Sequence, residues 1–290
     1  MDVKVVRRGE AAYPPLLRQL YDPPACIYFR GDGDADLLAR PCVAVVGARS
    51  CSPYGAEVAR TLGRELGAAG VVVVSGLARG IDGEAHRGAL AGDGPTVGVL
   101  GCGIDRDYPR SHAALARRVR ETGLLASEYP PGVEPAPWRF PARNRIIAGL
   151  SLATVVVEAR ERSGALITAD FALELGRDVF AVPGEITAAR SVGTNNLLRQ
   201  GAAPLLGVDD VLDAVGVERA PPSKVHVSAQ AAHVLAVLAD GPRSADEIAR
   251  ACGWESARVS AALLELELAG VVSATDGVYR CVFACPVLAR

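Results

Sequence analysis

An arginine stands in a segment of small residues that directly follows a continuous apolar run. The run covers residues 43–46, and the segment after it extends from Gly47 to Ser52 with Arg49 near its start. Small residues let a backbone approach a ligand, and free N–H groups at the start of a helix attract anions. The planar guanidinium of Arg49 can hold two phosphate oxygens, although a loop arginine is more often simply solvated. The segment therefore indicates a phosphodiester contact that needs support from elsewhere in the chain.

Four further segments of small residues follow apolar runs later in the chain. They are Ser75-Gly76 with Arg79, Gly101-Cys102-Gly103, Ser163-Gly164, and the pair Pro183-Gly184 and Gly193-Thr194-Asn195-Asn196. The carboxyl ends of parallel strands meet at one edge of a sheet, and open α/β folds bind their ligands there. One such segment is weak evidence, because glycine is common in loops. Five of them on one edge predict a crevice that binds phosphate groups.

A dinucleotide-binding fingerprint is not met. That fingerprint would place a glycine where Arg49 stands, and it would end the second strand in Asp or Glu for the ribose hydroxyls. The second apolar run ends instead in Ser75-Gly76. Both departures count against NAD, and we expect no cofactor.

A second candidate cluster interleaves aromatic side chains with arginines over residues 138–145. It contains Trp138, Phe140, Arg143, Asn144 and Arg145. Aromatic rings on which bases can stack, with arginines beside them to contact the phosphates, suit the binding of a single nucleic-acid strand. The alternative is that the aromatic residues only anchor a long loop into the core. Whether the last two arginines point the same way depends on the backbone, because residues two apart share a face in a strand and diverge on a helix.

Two carboxylate arrangements could in principle serve an enzyme. Asp82 and His86 are four residues apart on a predicted helix, which would allow a carboxylate–imidazole pair. A helix-capping Asp and a hydrogen-bonded His are the favoured interpretation, since no nucleophile motif accompanies them. Glu128 and Glu158 follow strands and could form an acid/base pair, but ion pairing with the crevice arginines is the favoured role. We therefore predict no catalytic residues and no enzyme.

The net charge and the amino-acid composition limit the class of protein. The formal net charge is −2, so DNA binding requires a local cluster of cations rather than a basic surface throughout. No lysine lies between residues 5 and 223, which excludes a P-loop or Schiff-base lysine there. Seven cysteines show no metal-ligand spacing and predict reduced thiols and no metal site. With neither a signal-peptide pattern nor a membrane-length apolar run, the sequence predicts a soluble cytoplasmic protein.

Apolar runs alternate with helical periodicity from residue 43 onward. Strands are predicted over 43–46, 71–74, 96–100, 124–126, 154–157 and 179–182, with helices between most of them. This alternation predicts an α/β fold, a Rossmann-like doubly wound and mostly parallel sheet over residues 41–219. Residues 1–40 are punctuated by Pro and Asp and contain a strand at 26–29. We expect them to form an extension packed on the core.

A smaller domain is predicted after a linker at residues 220–223. Residues 224–290 show three short helices and a hairpin around Thr275-Asp276-Gly277, which is the pattern of a winged helix. Ser244 and Glu247 are spaced as a capping box. This domain carries six cations and seven carboxylates, so its third helix is poorly suited to a DNA groove. A protein-contact module is the better interpretation.

Several motifs in one order resemble the DprA (Smf) family of DNA-processing proteins. The resemblance covers residues 13 to about 216 and extends more loosely to the winged helix. The residues that carry it are Val45-Val46-Gly47-Ala48-Arg49, Tyr54-Gly55, Ser75-Gly76-Leu77-Ala78-Arg79-Gly80-Ile81-Asp82, Ala85-His86, Tyr108-Pro109, Ser127-Glu128-Tyr129-Pro130, Phe140-Pro141, Arg143-Asn144-Arg145-Ile146-Ile147, Glu158-Ala159, Ser163-Gly164-Ala165-Leu166-Ile167-Thr168-Ala169, Ala181-Val182-Pro183-Gly184 and Gly193-Thr194-Asn195.

The resemblance implies a core that dimerises, binds single-stranded DNA without cutting it and helps to load a RecA-type recombinase during natural transformation. The implied homodimer forms through the Rossmann-like domain. By position, Arg49 and the segment of Arg143 and Arg145 match the family's DNA-contacting motifs. With the small-residue segments, the predicted DNA-contacting set is Gly47, Arg49, Ser52, Ser75, Gly76, Arg79, Phe140, Arg143, Asn144, Arg145, Ser163, Gly164 and Thr168.

The sequence departs from the family pattern in two places. Ala48 stands where the family usually has Ser, and the N-terminal extension is expected to be too short for the helical domain that many members carry. Two other functions stay open. One is a nucleotide-binding phosphoribohydrolase or nucleotide sensor that uses Glu128 or Glu158. The other is a winged-helix transcription factor, which the charge of residues 224–290 disfavours.

Overall fold

The computed structural model describes residues 3–33, 35–218, 227–275 and 277–281 of the 290. The chain divides into two compact units, Met1–Arg219 and Ala220–Arg290. The predicted linker at 220–223 lies outside the described residues. Each unit is considered by itself below.

The larger unit is built around one mixed sheet, which has nine strands within the described residues. Its order is β1-β2-β6-β5-β4-β3-β7-β8-β9. Strands β3 to β9 run parallel to their neighbours among themselves, whereas β2 is antiparallel to both β1 and β6. This confirms the predicted doubly wound, mostly parallel fold. The strands are β1 Lys4–Arg7, β2 Cys26–Arg30, β3 Cys42–Val46, β4 Val72–Ser75, β5 Thr96–Val99, β6 Leu124–Ser127, β7 Ala153–Val156, β8 Asp178–Ala181 and β9 Ala203–Pro204.

The helices of this unit follow the strands as crossover connections. They are α1 Pro53–Ala68, α2 Ile81–Ala91, α3 Ala113–Thr122, α4 Arg139–Leu150, α5 Gly164–Glu174, α6 Val192–Arg199 and α7 Val208–Ala214. Helix α1 begins where the sequence favours it, because Ser52 caps it by accepting the Gly55 N–H and a proline occupies its first position. Val58, Leu62 and Leu66 then recur at four-residue intervals and are buried against the sheet layer. Short 3-10 helices span Leu16–Gln19, Ala35–Ala39 and Arg110–His112.

The central strands are continuous apolar runs because helices cover both faces of the sheet. All five residues of β3 are buried, and all four residues of β4, β5, β6 and β7 are buried as well. The N-terminal extension, which was expected only to pack on this core, is part of its sheet. It adds β1 and β2 to the edge of the sheet, with Phe29 opposite Ala126 in the register of β2 and β6. Strand β1 was not predicted.

The direction in which strands are added reverses beside β3. The chain places β4, β5 and β6 successively on one side of β3, and then crosses back through α4 to place β7 and β8 on the other side. In open α/β sheets the crevice at such a reversal is where ligands bind, since the two neighbouring crossovers lie on opposite faces and separate there. The carboxyl ends of β3 and β7 therefore mark the expected site.

The smaller unit has the predicted winged-helix elements. They are α8 Ala229–Leu238, β10 Arg243–Ser244, α9 Ala245–Cys252, α10 Ser256–Leu268, β11 Val272–Thr275 and β12 Val278–Cys281. Its described strands form a sheet of order β10-β12-β11, and the Ser244–Glu247 capping box is present as predicted. The hairpin residues Asp276 and Val282 lie outside the described residues.

Two sequence-based expectations concern the chemical environment of the chain. Cys26, Cys42, Cys51, Cys102 and Cys252 are free thiols in the structure. Across the described ranges, no helix combines the length and the apolar character that a membrane crossing requires.

Candidate nucleic-acid interface

A cavity of about 240 Å³ opens at the carboxyl edge of the sheet where the strand order reverses. We call it the switch-point cavity. Its walls come from the segment after β3, from the start of α4 and from the first turn of α5. The predicted contact residues that line it are Gly47, Arg49, Phe140, Arg143, Asn144, Ser163, Gly164 and Thr168. The structure thus brings together residues from three separate parts of the sequence.

A second cavity of about 320 Å³ adjoins the first and shares four lining residues with it: Arg49, Ala78, Phe140 and Arg143. We call it the arginine cavity. It adds two predicted contact residues, Gly76 and Arg79. It also adds residues that the predicted set lacks: Leu100, Gly101, Tyr108, Pro109, Arg110 and Ser111. The signals that could have identified them were the Gly101-Cys102-Gly103 segment after β5 and the Tyr108-Pro109 motif.

Arg49 is exposed on the wall between the two cavities. Its guanidinium carbon lies 5.5 Å from the centre of the Phe140 ring, within the range of a cation–π contact. The segment that carries it is fixed from below, because the Ile81 N–H donates to the Ala48 carbonyl at 3.2 Å. Gly80 has a φ of +75°, and a Cβ there would lie 2.2 Å from the Ala48 carbonyl oxygen. Only glycine allows this close approach of the two loops.

Arg143 is the buried cation of the site, and only 4% of its surface is exposed. Its Nη1 donates to the carbonyl of Gly76 at 2.8 Å and also to the carbonyl of Val99. Burial lowers the pKa of Arg143 to about 10, and the nearby Asp82 carboxylate opposes that shift. The group is therefore still a cation at neutral pH, and it joins the ends of β4 and β5 to α4.

Asp82 is the buried counter-charge, at the start of α2. Its Oδ2 accepts the Gly76 N–H at 3.1 Å. Burial raises the pKa of Asp82, whereas the charge of Arg143 and two backbone hydrogen bonds lower it. A Cβ on Gly76 would lie 2.4 Å from Arg143 Nη2 and 2.6 Å from Asp82 Oδ2. Gly76 is thus required because two buried, oppositely charged groups lie close to it.

Arg145 does not line either cavity. Residues 139–150 form helix α4, so Arg143 and Arg145 diverge, and the alternative of a long anchored loop was wrong. Arg145 Nη2 lies 2.5 Å from Glu128 Oε2, and its Nη1 donates to the Asp22 carbonyl at 2.9 Å. The ion-pairing role predicted for Glu128 is present, but away from the crevice. Burial raises the pKa of Glu128, although Arg145 opposes that shift. Trp138, the first aromatic residue of the cluster, is exposed and also lies outside both cavities.

Glu158 does not pair with the crevice arginines, so that prediction was wrong. It is buried beneath the N-terminus of α1, where it accepts the Ser52 N–H at 2.9 Å and the Ser52 hydroxyl. Gly55 makes room for it, because a Cβ there would lie 2.5 Å from the Glu158 carboxyl carbon. Ser52, which was predicted to contact a ligand, is occupied by this internal contact.

Ser75 is a second predicted contact residue that the structure places inside the protein. It is fully buried, and its hydroxyl donates to the Val45 carbonyl at 2.6 Å, so it ties β4 to β3. Asp82 and His86 do not pair with each other. His86 Nδ1 instead lies 2.7 Å from Thr96 Oγ1, which confirms the hydrogen-bonded histidine that was favoured.

The first turn of α5 supplies one wall of the switch-point cavity. Ser163 caps this helix by accepting the Ala165 N–H at 3.3 Å, and Asn144 donates to the Gly164 carbonyl at 2.9 Å. The hydrogen bond from Asn144 holds α4 against α5. The N–H groups of Ser163, Ala165 and Leu166 all donate within the chain, so of residues 163–166 only the Gly164 N–H has no hydrogen bond to the described residues. A free N–H at a helix N-terminus is a donor of the kind that anions bind.

The fifth small-residue segment is not part of either cavity. Residues 193–196 lie within helix α6 rather than in a loop. Asn195 exchanges two hydrogen bonds with Gly184, donating to its carbonyl at 3.0 Å and accepting its N–H at 3.3 Å. These hydrogen bonds join α6 to the segment after β8, and the prediction of five segments around one crevice was wrong for this one.

The exposed arginines of the site have no carboxylate partner among the residues that the structure describes, whereas several other arginines of the larger unit do. Arg49, Arg79 and Arg110 make no ion pair with any part of the chain that the structure describes. Carboxylates hold other arginines of the unit at 2.5 or 2.6 Å, namely Arg30, Arg60, Arg120 and Arg145. Cations gathered around a crevice without counter-charges create a local positive potential that attracts anions.

The sequence profile of the DNA recombination-mediator protein A family matches residues 4–216, and that of the DprA winged helix domain matches residues 218–277. The chain belongs to the DprA family. It is a DNA-processing protein of a family of recombination mediators, as the order of motifs indicated.

Individual DprA proteins are similar to this chain in sequence or in structure over most of its length. The putative DNA processing protein DprA of Mycobacterium tuberculosis is 42% identical over 266 residues, which cover 89% of this chain and 68% of the relative. The solved structure of DprA from Streptococcus pneumoniae is similar with a TM-score of 0.70 and 41% identity, covering 76% of each chain. DprA from Helicobacter pylori, solved for its single-stranded DNA binding mode, has a TM-score of 0.67 and 30% identity, covering 74% of this chain and 96% of that one.

Proposed function

We propose that the chain binds single-stranded DNA along the switch-point and arginine cavities and does not cleave it. The observation that carries the proposal is the group of exposed arginines, Arg49, Arg79 and Arg110, which have no ion-pair partner among the described residues and surround a crevice at the reversal of the sheet. The Helicobacter pylori relative, which is 30% identical, binds single-stranded DNA. Phosphodiesters supply the anions, and the flexibility of a single strand lets it enter a crevice that a duplex cannot.

The contacts that we propose follow from the lining residues. Arg49 holds a phosphate with its planar guanidinium, and the Gly164 N–H at the start of α5 donates to the same or the next phosphate. Arg143 contributes positive charge from its buried position in the lining of both cavities. Ser52, Ser75 and Arg145 are left out of this contact set because their polar groups are held by internal partners.

The carboxylates near the two cavities have partners within the chain, and this supports binding of DNA rather than its hydrolysis. Glu158 is engaged by Ser52, and Glu128 is engaged by Arg145, so neither stands free to act as an acid or base in the cavities. Asp82 faces the switch-point cavity, but it is buried against Arg143 and accepts the Gly76 N–H. Release of base from nucleoside monophosphates that disappears in a Glu158→Gln variant would instead support a phosphoribohydrolase.

Fluorescence anisotropy with a labelled oligothymidylate over a salt series tests the proposal. We expect preference for the single strand over a duplex of the same length, and intact oligonucleotide after incubation. An Arg49→Ala variant should bind more weakly, with a log–log salt slope flatter by about 0.7 for each phosphate that the side chain no longer neutralises. Arg8→Ala is the matched control, since Arg8 is exposed and lies outside both cavities. Equal affinity for duplex and single strand, or unchanged binding by Arg49→Ala, would contradict the proposal.

We further propose that the protein acts as a homodimer through its larger unit and helps to load a RecA-type recombinase on the bound strand. Membership of a recombination-mediator family supports the role in recombination. Light scattering on the full chain should give twice the monomer mass. Recombinase filament formation on DNA coated with single-stranded DNA-binding protein should start sooner with the wild type than with Arg49→Ala. A monomer in solution would contradict the first part, and equal lag times would contradict the second.

A further inference from the structure

Tyr108 forms the outer face of an aromatic stack in the arginine cavity. Its ring centre lies 5.3 Å from that of Phe140, and the two ring planes are inclined by only 21°. Tyr108 is 39% exposed, whereas Phe140 is partly buried and also contacts the Arg49 guanidinium. Gly101 allows this packing, because a Cβ there would lie 2.8 Å from the Phe140 ring. The accessible aromatic surface of the stack therefore belongs to Tyr108 more than to Phe140.

The surroundings of Tyr108 are cationic and polar. Arg79, Arg110 and Ser111 are exposed and line the same cavity. Among the described residues that line it there are four arginines and no carboxylate. An exposed aromatic ring between arginines without counter-charges matches the combination that single-strand binding sites use, where a base stacks on the ring and the cations hold the neighbouring phosphates.

We propose that the arginine cavity is a nucleotide subsite in which a base of the strand stacks on Tyr108 while Arg79 and Arg110 contact the flanking phosphates. The subsite rests on the proposed function, and it extends that function beyond the predicted contact set, which contains neither Tyr108 nor Arg110. The two cavities share Arg49 and Phe140 on their common wall, so one strand that crosses these two residues can contact both cavities.

The subsite also gives a physical reason for the preference that we expect for single strands over duplexes. A base can stack on Tyr108 only after it has left the stack of its own strand, and that costs less in a single strand than in a duplex. Stacking does not read the base edge, since every base has a π-face, so we expect little sequence preference at this position.

The test compares Tyr108→Ala with Tyr108→Phe and with Tyr21→Ala, a matched control because Tyr21 is fully exposed outside both cavities. Anisotropy is measured with an oligothymidylate and with an abasic oligomer of equal length. We expect Tyr108→Ala to bind the oligothymidylate about tenfold more weakly, as the loss of one stacked base implies. Tyr108→Phe and Tyr21→Ala should bind like the wild type. The abasic oligomer should bind Tyr108→Ala and the wild type equally, which also shows that the variant is folded.

Arg110 is tested separately by its salt dependence. Arg110→Gln should flatten the log–log slope by about 0.7, and Arg8→Gln should leave it unchanged. If Arg49→Ala weakens binding while Tyr108→Ala binds both oligomers like the wild type, the subsite is wrong and the proposed function stands. The subsite is also wrong if Tyr108→Phe loses as much affinity as Tyr108→Ala, because a hydroxyl contact would then explain the loss. If the wild type does not bind the oligothymidylate, the proposed function itself fails.

Discussion

The Nδ1 atom of His112 lies 3.0 Å from the carbonyl oxygen of Leu77. A carbonyl oxygen can only accept, so His112 donates through a protonated Nδ1. Leu77 has a φ of +56°, a left-handed conformation that a leucine rarely adopts, and it is fully buried. Together with Arg143 on the Gly76 carbonyl and Asp82 on the Gly76 N–H, this bond fixes the loop that presents Arg79.

We expect His112→Ala to destabilise this loop. The variant leaves the buried Leu77 carbonyl without its donor, at a cost of about 1–3 kcal/mol in the free energy of unfolding. The Leu77 backbone is then no longer held in its left-handed conformation, so the loop that presents Arg79 can move. Urea unfolding measures the first effect, and anisotropy with an oligothymidylate measures the second as weaker binding. His112→Asn retains a side-chain N–H and should recover part of both. Unchanged stability and unchanged binding in His112→Ala would show that the hydrogen bond does not hold the loop.

The second buried histidine makes stability depend on pH. Thr96 Oγ1 donates to the Val73 carbonyl at 2.7 Å, so it accepts from His86 Nδ1, and His86 Nε2 has no partner within the described chain. Burial lowers the pKa of His86 to about 3 from its ordinary 6.5. Between these values the unfolded chain binds a proton that the folded chain excludes. The stability is therefore complete above pH 6.5 and is lost as the pH falls toward 3.

Urea titrations of the wild type and of His86→Gln at about pH 7.5 and about pH 5.5 test this. We expect the wild type to lose about 1.4 kcal/mol more than the variant between the two conditions. The raised pKa values of Asp82 and Glu128 act in both proteins and cancel in the comparison. Parallel losses in the two proteins would mean that His86 can be protonated in the folded state.

Two glycines of the interface should differ in how much stability they lose on substitution by alanine. Gly76→Ala places a methyl group within 2.4 Å of Arg143 Nη2, whereas nothing lies within 4 Å of a Cβ at Gly164. We expect Gly76→Ala to lower the free energy of unfolding by about 1–3 kcal/mol, because the buried Arg143 and Asp82 side chains have to shift. Gly164→Ala should be neutral or slightly stabilising in the first turn of α5. Thermal unfolding of both variants distinguishes these outcomes, and equal melting temperatures would contradict the close packing at Gly76.

The Arg143–Asp82 pair should show strong energetic coupling. Arg143→Met leaves the Asp82 carboxylate buried without its counter-charge, and we expect a loss of about 3–5 kcal/mol. Asp82→Asn in the same protein removes the stranded charge and should recover part of that loss. A double-mutant cycle in urea gives the coupling free energy. Additive effects of the two substitutions would show that the charges do not interact across Gly76.

The sheet was predictable because its central strands are buried on both faces, which leaves apolar runs such as those of β3 and β4 in the sequence. Strand β1 left no such pattern, since Val6 is its only buried residue. Helix α4 was obscured for a different reason. Pro141 lies in its first turn, where a proline is tolerated, but in the sequence it suggests a loop.

The candidate site was predictable in its residue types but not in the partners of those residues. Arg49 and the first turn of α5 lie where the strand–loop pattern placed them. The partner of Glu158 is 106 residues earlier in the chain, and room for it depends on Gly55, which no local pattern reveals. Arg143 and Arg145 could be separated only once the backbone between them was known to be helical.

The reversal beside β3 also determines when the interface can form. Residue Val43 of β3 pairs with Ala153 of β7, about 110 positions later, so closing this pairing is entropically among the most expensive steps in assembling the sheet. The two walls of the switch-point cavity that come from α4 and α5 are completed only with that closure. A nascent chain that has completed β3 to β6 already holds Arg49 and Arg79, yet it has no pocket for a strand until α4 and α5 have docked. DNA binding should therefore appear late in folding and report on the joining of the two halves of the sheet.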